Sequence, residues 1–418
     1  MPKQTLTKTR KAPVKSKRSP VKKTPASNPW LTKTRLVGIL FVALFASFGT
    51  FYLLQSGASP NNERFAEDPA RGISYKGLKI AESGPCAKSS EAIDESDEID
   101  LSPEQSQRDE NAGGPKRVKC IHPDAGPKGV DLRERVKQVD AMLDTQVAYD
   151  DINPAKNAGE TPPPPIIEAE NVGAPGSLSA VSPINWPCNG VGNDGSRVLI
   201  IYAYAAGAKD RGATYRKSFE SIARRTNAVY YNSGVSSGGA RQIRFHTNSQ
   251  CRLTIVPETI SGDINSYGNI VSQLRSKGYT PATRKYLVQV DGGNGANCGI
   301  GGVFKDDRPG QENYNNNGNM FAVTWKSCWN YAEPHELTHM LGSVQDGAPG
   351  ATGRSHCFDQ NDVMCYNDGA GIAMQSICPS STEIWRLDCR KDTYFRSAGA
   401  TGWLADHWNV ANNKFLQP

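Results

Sequence analysis

The first 35 residues contain no acid, residues 36–54 contain no charge, and no cysteine occurs before residue 86. The acid-free stretch carries eleven Lys or Arg, which leaves 37 basic against 42 acidic residues in the remainder of the chain. The basic balance therefore belongs to the tail, and a nucleic-acid-binding reading of the whole protein loses its support. The uncharged stretch would span about 28 Å as a helix, close to the hydrocarbon thickness of a bilayer. Its one-sided basic flank predicts a single-pass signal anchor with the N-terminus in the cytoplasm and the rest of the chain exported. Absence of cysteine upstream and ten cysteines downstream fit export and predict up to five disulfides. Cys86 and Cys120 lie apart from the other eight and are expected to pair. No Cys-x-x-Cys occurs, so a thiolate zinc site is not expected.

Large apolar residues are scarce between the anchor and residue 180. Residues 89–110 are acidic and polar, and 162–165 are four consecutive prolines. Together they predict a largely disordered stalk over 55–180, with a short amphipathic helix over 131–147. The stalk has no recognisable cysteine latency motif, but it could still act as a pro-segment. The domain plan is then a basic tail at 1–35, an anchor at 36–54, a stalk at 55–180 and a folded domain at 181–418. The last is large enough for a full core.

Within that domain, continuous apolar runs at 198–202 and 286–290 read as buried strands, and 321–325 as another. Residues 253–256 read as a strand ended by Pro257. Helical spacing marks 215–230, and 266–277 is a helix stopped by Gly278. Strands alternating with helices predict an α/β (α+β) fold with a twisted, mostly parallel sheet. The chain beyond residue 342 is rich in Gly, Asn, Asp and Cys, and predicts a loop-rich, disulfide-tied lower half beneath a cleft.

The chain has only six histidines, and two of them fall in His335-Glu336-Leu337-Thr338-His339. Histidines four apart lie on one helix face, one turn apart, where both imidazoles can hold one Zn²⁺. Glu336 is too close to bind in the same manner and is placed to take a proton from water and pass it to a leaving amine. The pattern points to metal-assisted hydrolysis of a peptide bond.

His-Glu-x-x-His-x-x-Gly, with Gly342 ending the helix, resembles the metzincin clan of zinc proteases. In that clan a third ligand follows three residues after the glycine. Here Gln345 stands at that position, with Asp346 beside it. A neutral amide is a poor zinc ligand. The favoured third ligand is His356, brought back by a loop over 347–355 that holds three glycines and a proline. His407 is expected to pack or cap locally. Asp362-Val363-Met364-Cys365-Tyr366 extends the resemblance: Met364 would form the apolar floor of a Met-turn, and Tyr366 would bind the developing oxyanion or sit on the metal at rest. The resemblance covers most of 190–418 and is closest to secreted bacterial proteases. It implies Zn²⁺ as cofactor, a protein or peptide substrate, and residues 300–304 as the antiparallel edge strand that holds the substrate.

Two other readings remain. A thermolysin-like protease would take Glu383, the sole glutamate after Glu336, as third ligand. A non-catalytic surface module would carry a structural zinc, and a protein side chain in the fourth ligand position would favour it.

Overall fold

The computed structural model describes residues 67–68, 70–81, 86–87, 92–93, 119–126, 131–134, 185–188, 192–293, 297–359, 361–377 and 386–418. Residues 60–418 make one compact unit; the other, 1–59, lies wholly outside the described residues, and with it the expected anchor. Among the described residues no helix is long and apolar enough to cross a membrane. The proline run, Glu383 and most of the expected 131–147 helix also lie outside them.

The frame of the fold is a run of β-branched and aromatic segments, most of them buried on both faces. Strand β4 (Arg197–Ala205) pairs in parallel with β6 (Ile255–Ile260) and with β7 (Arg284–Asp291), and β7 pairs in parallel with β9 (Met320–Trp325). Alternate side chains enter opposite cores, as the period-two geometry of a strand requires. Val198 and Ile200 join one apolar cluster, and Leu199 and Ile201 join the other. The first cluster includes Ala223, Val229 and Tyr230 of helix α1 (Gly212–Ser236) and Leu337 and Met340 of helix α3 (Glu333–Met340). The second includes Ile270, Val271 and Leu274 of helix α2 (Tyr267–Ser276), whose N-terminus is capped by Ser266.

Two sequence expectations need correction. Pro257 does not end its strand: it lies inside β6, opposite Tyr202 of β4. Among the described residues strand β6 pairs only with β4, and on such an edge a residue without an N–H is tolerated where that position faces outward. The stalk reading fails for its described portion. Strands β1 (Lys79–Ile80), β2 (Ala92–Ile93) and β3 (Lys119–Asp124) extend the sheet to eight strands in the order β1-β2-β3-β8-β9-β7-β4-β6. Strand β3 runs antiparallel to β8 (Gly299–Phe304), from Lys119 opposite Phe304 to Asp124 opposite Gly299. Its composition hid it: a strand that adds to an existing edge gets its backbone pairing there and needs no long apolar run of its own. Cys86 and Cys120 form a disulfide that ties β3 to its own segment; the pairs Cys188–Cys251, Cys298–Cys328 and Cys357–Cys365 follow, and Cys389 is disulfide-bonded too.

Strand β8 is glycine-rich because α3 lies directly against it. A Cβ on Gly301 would stand 2.6 Å from the Glu336 carbonyl oxygen and 2.9 Å from the His339 Cβ, and one on Gly299 would collide with the Glu336 carboxylate. Gly301→Ala is expected to cost about 1–3 kcal/mol of overpacking strain and to weaken metal uptake. A lower urea midpoint together with a reduced metal content checks both.

Candidate metal centre

Helix α3 is held at three places before any ligand is considered. Lys285 reaches its C-terminal end, donating from Nζ to the Met340 carbonyl at 2.7 Å. The Thr338 hydroxyl bonds the Pro334 carbonyl and the Tyr230 hydroxyl of α1, both at 2.6 Å. At Gly342 the chain turns at φ +102°, and the Trp408 indole packs where a side chain would be. These contacts fix the rotation of α3, and the rotation puts His335 and His339 on the face beneath β8.

The ring orientations follow from hydrogen bonds to backbone. His335 Nδ1 donates to the Val363 carbonyl at 2.6 Å and His339 Nδ1 to the Ser343 carbonyl at 2.8 Å. With Nδ1 turned to the backbone, each ring presents Nε2 to the centre, and the two nitrogens stand 3.1 Å apart. Burial pushes the His339 pKa down to about 4, so that ring is neutral. His356 completes the group: its ring centroid lies 5.3 Å from that of His335 and 5.1 Å from that of His339. Its Nδ1 faces Asp368 Oδ2 at 3.3 Å. Burial works against protonating His356, yet Asp124 and Asp368 raise its pKa to about 9. A carboxylate behind an imidazole is the usual support of a metal-binding histidine.

A fourth donor comes from β3. Asp124 Oδ1 lies 2.9 Å from His356 Nε2 and 3.4 Å from His335 Nε2, and Oδ2 lies 3.5 Å from His339 Nε2. Burial opposes ionisation of Asp124, but His335 and His356 hold its carboxyl well below the ordinary range. Donor atoms of the four residues all lie within 4.8 Å of one another. The Nε2 atoms of His335 and His339 face each other at the centre, and the buried Asp124 Oδ2 has no hydrogen-bond partner among the described residues. This donor set fits a divalent cation, which would draw the converging lone pairs together.

Glu336 stands beside the group. Both carboxylate oxygens are buried and lack a hydrogen-bond partner among the described residues. Burial first, and the charge of Asp124 second, raise its pKa well above the ordinary carboxylate value. The Tyr366 hydroxyl donates to Asp124 Oδ1 at 2.7 Å, and its ring lies 4.4 Å from that of His356. Met364 is fully buried in the cluster that contains Leu337. The Cys357–Cys365 disulfide joins the residue after His356 to the residue before Tyr366. A small cavity beside His335 is lined by Tyr331, Ala332, Glu336, Val363 and Tyr366.

The other candidates lie elsewhere. Gln345 donates to the Phe304 and Gly342 carbonyls, Asp346 pairs with Lys305 at 2.7 Å, and His407 stacks on Trp403. Asp124 and Asp368 were missed by sequence reasoning. The available signals were a histidine two residues before Asp124 and an aspartate two after Tyr366; the His122 ring lies 5.5 Å from that of His356.

The turn beneath the ligands is itself tied down. Asp362 Oδ1 accepts from the Met364 N–H at 2.8 Å and from the Tyr394 hydroxyl at 2.5 Å. Burial pushes the Asp362 pKa up to about 8. An unfolded aspartate titrates near about 4, so between about pH 4 and 8 the folded chain holds a proton that the unfolded chain has lost. Stability from this group is complete below pH 4 and falls as pH rises through 8. Asp362→Asn removes that slope, which the difference between parent and variant urea midpoints at pH 5.5 and 8.5 measures.

No family model and no curated protein is similar to the chain. Nine solved chains match. Among them is metalloproteinase-II from Bacteroides fragilis, at 15% identity and a TM-score of 0.25, covering 62% of this chain and 69% of that one. At that level the likeness assigns no activity.

Proposed function

We propose that the chain is a zinc-dependent endopeptidase of metzincin type, held latent by its own Asp124. The observation that carries this is the convergence of three imidazole Nε2 atoms beside the buried Glu336 carboxylate. Three imidazoles and one oxygen donor suit Zn²⁺. When bound, the ion would supply a Lewis acid that polarises the scissile carbonyl and acidifies water. His335, His339 and His356 would hold it, with Asp368 orienting His356. Glu336 would take the proton from the attacking water and deliver it to the leaving nitrogen. With Asp124 gone, the Tyr366 hydroxyl would be free to donate to the developing oxyanion. A substrate would add to the edge of β8, which β3 now covers.

Ligand count alone favours the structural-zinc reading, because Asp124 closes the fourth position. Two features speak for latency instead. Asp124 arrives on a strand that adds to the outer edge of β8 from a segment far upstream in the chain, and neither oxygen of the buried Glu336 carboxylate has a hydrogen-bond partner within bonding distance among the described residues. The membrane anchor and extracytoplasmic location are part of the proposal, supported by the uncharged 36–54 stretch and the disulfides downstream of it.

The test is metal stoichiometry joined to turnover. Purified full-length protein should contain one zinc per chain. His356→Ala should lose most of it, and Asp346→Ala should keep it. After release of β3 by limited proteolysis, hydrolysis of an unfolded protein should appear and should vanish on chelation. Zinc retained with no hydrolysis after release would return the structural reading to first place.

A further inference from the structure

Strand β3 does more than deliver a carboxylate; its other face fills two positions along β8. The register puts Cys120, His122 and Asp124 on the side of α3, and Lys119, Ile121 and Pro123 on the opposite side. Ile121 is fully buried and belongs to the apolar cluster of Ile300, Phe321 and Val323. It pairs with Gly302, which has no side chain to occupy that face. Lys119 is buried as well. Its stem covers Gly302, with Cδ 2.8 Å and Cγ 3.1 Å from where a Cβ on that residue would lie, and the three nearest atoms to such a Cβ are all from Lys119. The Lys119 ammonium reaches a point 6.0 Å from the centre of the Phe304 ring. Unlike Gly299 and Gly301, which α3 requires, Gly302 is thus left open for a side chain of the strand that pairs with it.

Resting on the protease reading, we infer that these two positions are substrate subsites. One is an apolar site now holding Ile121, and the other is a groove over Gly302 and Phe304 now holding the Lys119 stem. A peptide that pairs with β8 in the same register meets both. The preferred substrate is therefore an extended segment with Lys or Arg, one intervening residue and then an aliphatic residue. The aliphatic residue lies three positions before the residue at the metal. Affinity along the backbone comes from the β8 ladder, and selectivity comes from the side chains on alternate positions. The spacing of two between the basic and aliphatic residues follows from the strand period, whichever peptide bond at the metal is cut.

The experiment uses zinc-loaded full-length protein in which limited proteolysis has released β3 from β8, so that Lys119 and Ile121 no longer fill the two positions, and synthetic peptides that differ at one position. Replacing Ile by Gly in the Lys-x-Ile context should lower kcat/KM by about tenfold or more. Replacing Lys by Ala should lower it by a smaller factor. Gly302→Ala should abolish the preference for Lys over Ala while leaving the Ile-over-Gly preference in place. Cleavage of all the peptides at equal rates, or a Lys preference untouched by Gly302→Ala, overturns the subsites and leaves the protease reading standing. No cleavage of any peptide by the zinc-loaded protein overturns both.

Discussion

Full-length Asp124→Ala protein should hydrolyse short peptides faster than the parent chain by on the order of a hundredfold, because a tethered ligand acts at millimolar effective concentration. Asp124 contacts all three histidines and Tyr366 through one buried carboxylate. It therefore fills the position that water must occupy and holds the hydroxyl that would serve the oxyanion. Truncation to Ala removes both obstacles and leaves the β3 backbone on β8. The relief is for that reason incomplete: six paired residues and the Cys86–Cys120 disulfide still hold the strand across the substrate's path. Adding limited proteolysis to the variant should raise the rate further, whereas in the parent proteolysis alone has to dislodge the carboxylate and the strand together. Asp124→Asn is the sharper control. It keeps the volume and the Tyr366 contact but loses the charge that His335 and His356 stabilise, so its activity should fall between those of parent and Ala variant. If Asp124→Ala instead sheds zinc and gains no activity, the carboxylate is a structural ligand and latency is the wrong reading.

How much of this was legible in the chain depended on whether the signal was local. The parallel strands were legible because burial on both faces forces unbroken apolar runs, as at 198–202 and 286–290. His335 and His339 were legible because helical periodicity converts a spacing of four into spatial adjacency. His356 was reached only by its being the next histidine after a flexible loop. Asp124 was barely legible, its one local signal being the histidine two residues before it. It lies 232 residues before His356, its contact partner, and its strand has a polar, proline-containing sequence that reads as linker. What makes it a strand is the empty edge of β8, and an edge is a property of the assembled sheet. Asp368 failed for a related reason: it supports His356 from a loop of no fixed period. The failure at Pro257 has the same source, since only the sheet order shows that β6 has one neighbour.

Glu336→Ala is the prediction that separates catalysis from metal binding. Glu336 touches none of the backbone carbonyls that orient the histidines, which are those of Val363 and Ser343. Its removal should leave zinc content at one per chain. Loss of a positioned general base typically costs a hundredfold to ten-thousandfold in rate, so in the Asp124→Ala background turnover should fall by about that range. Folding should not suffer. The carboxylate is buried with neither oxygen hydrogen-bonded among the described residues, and a buried polar group without partners is a liability to stability. The variant should therefore unfold at a urea concentration equal to or above that of its parent. A residue kept for packing alone would show the reverse, with stability lost and activity falling only in step with the folded fraction. Gain of stability with loss of turnover at constant zinc is the signature of a group retained for chemistry. Full activity in Glu336→Ala would discard the general-base mechanism, even with the metal in place.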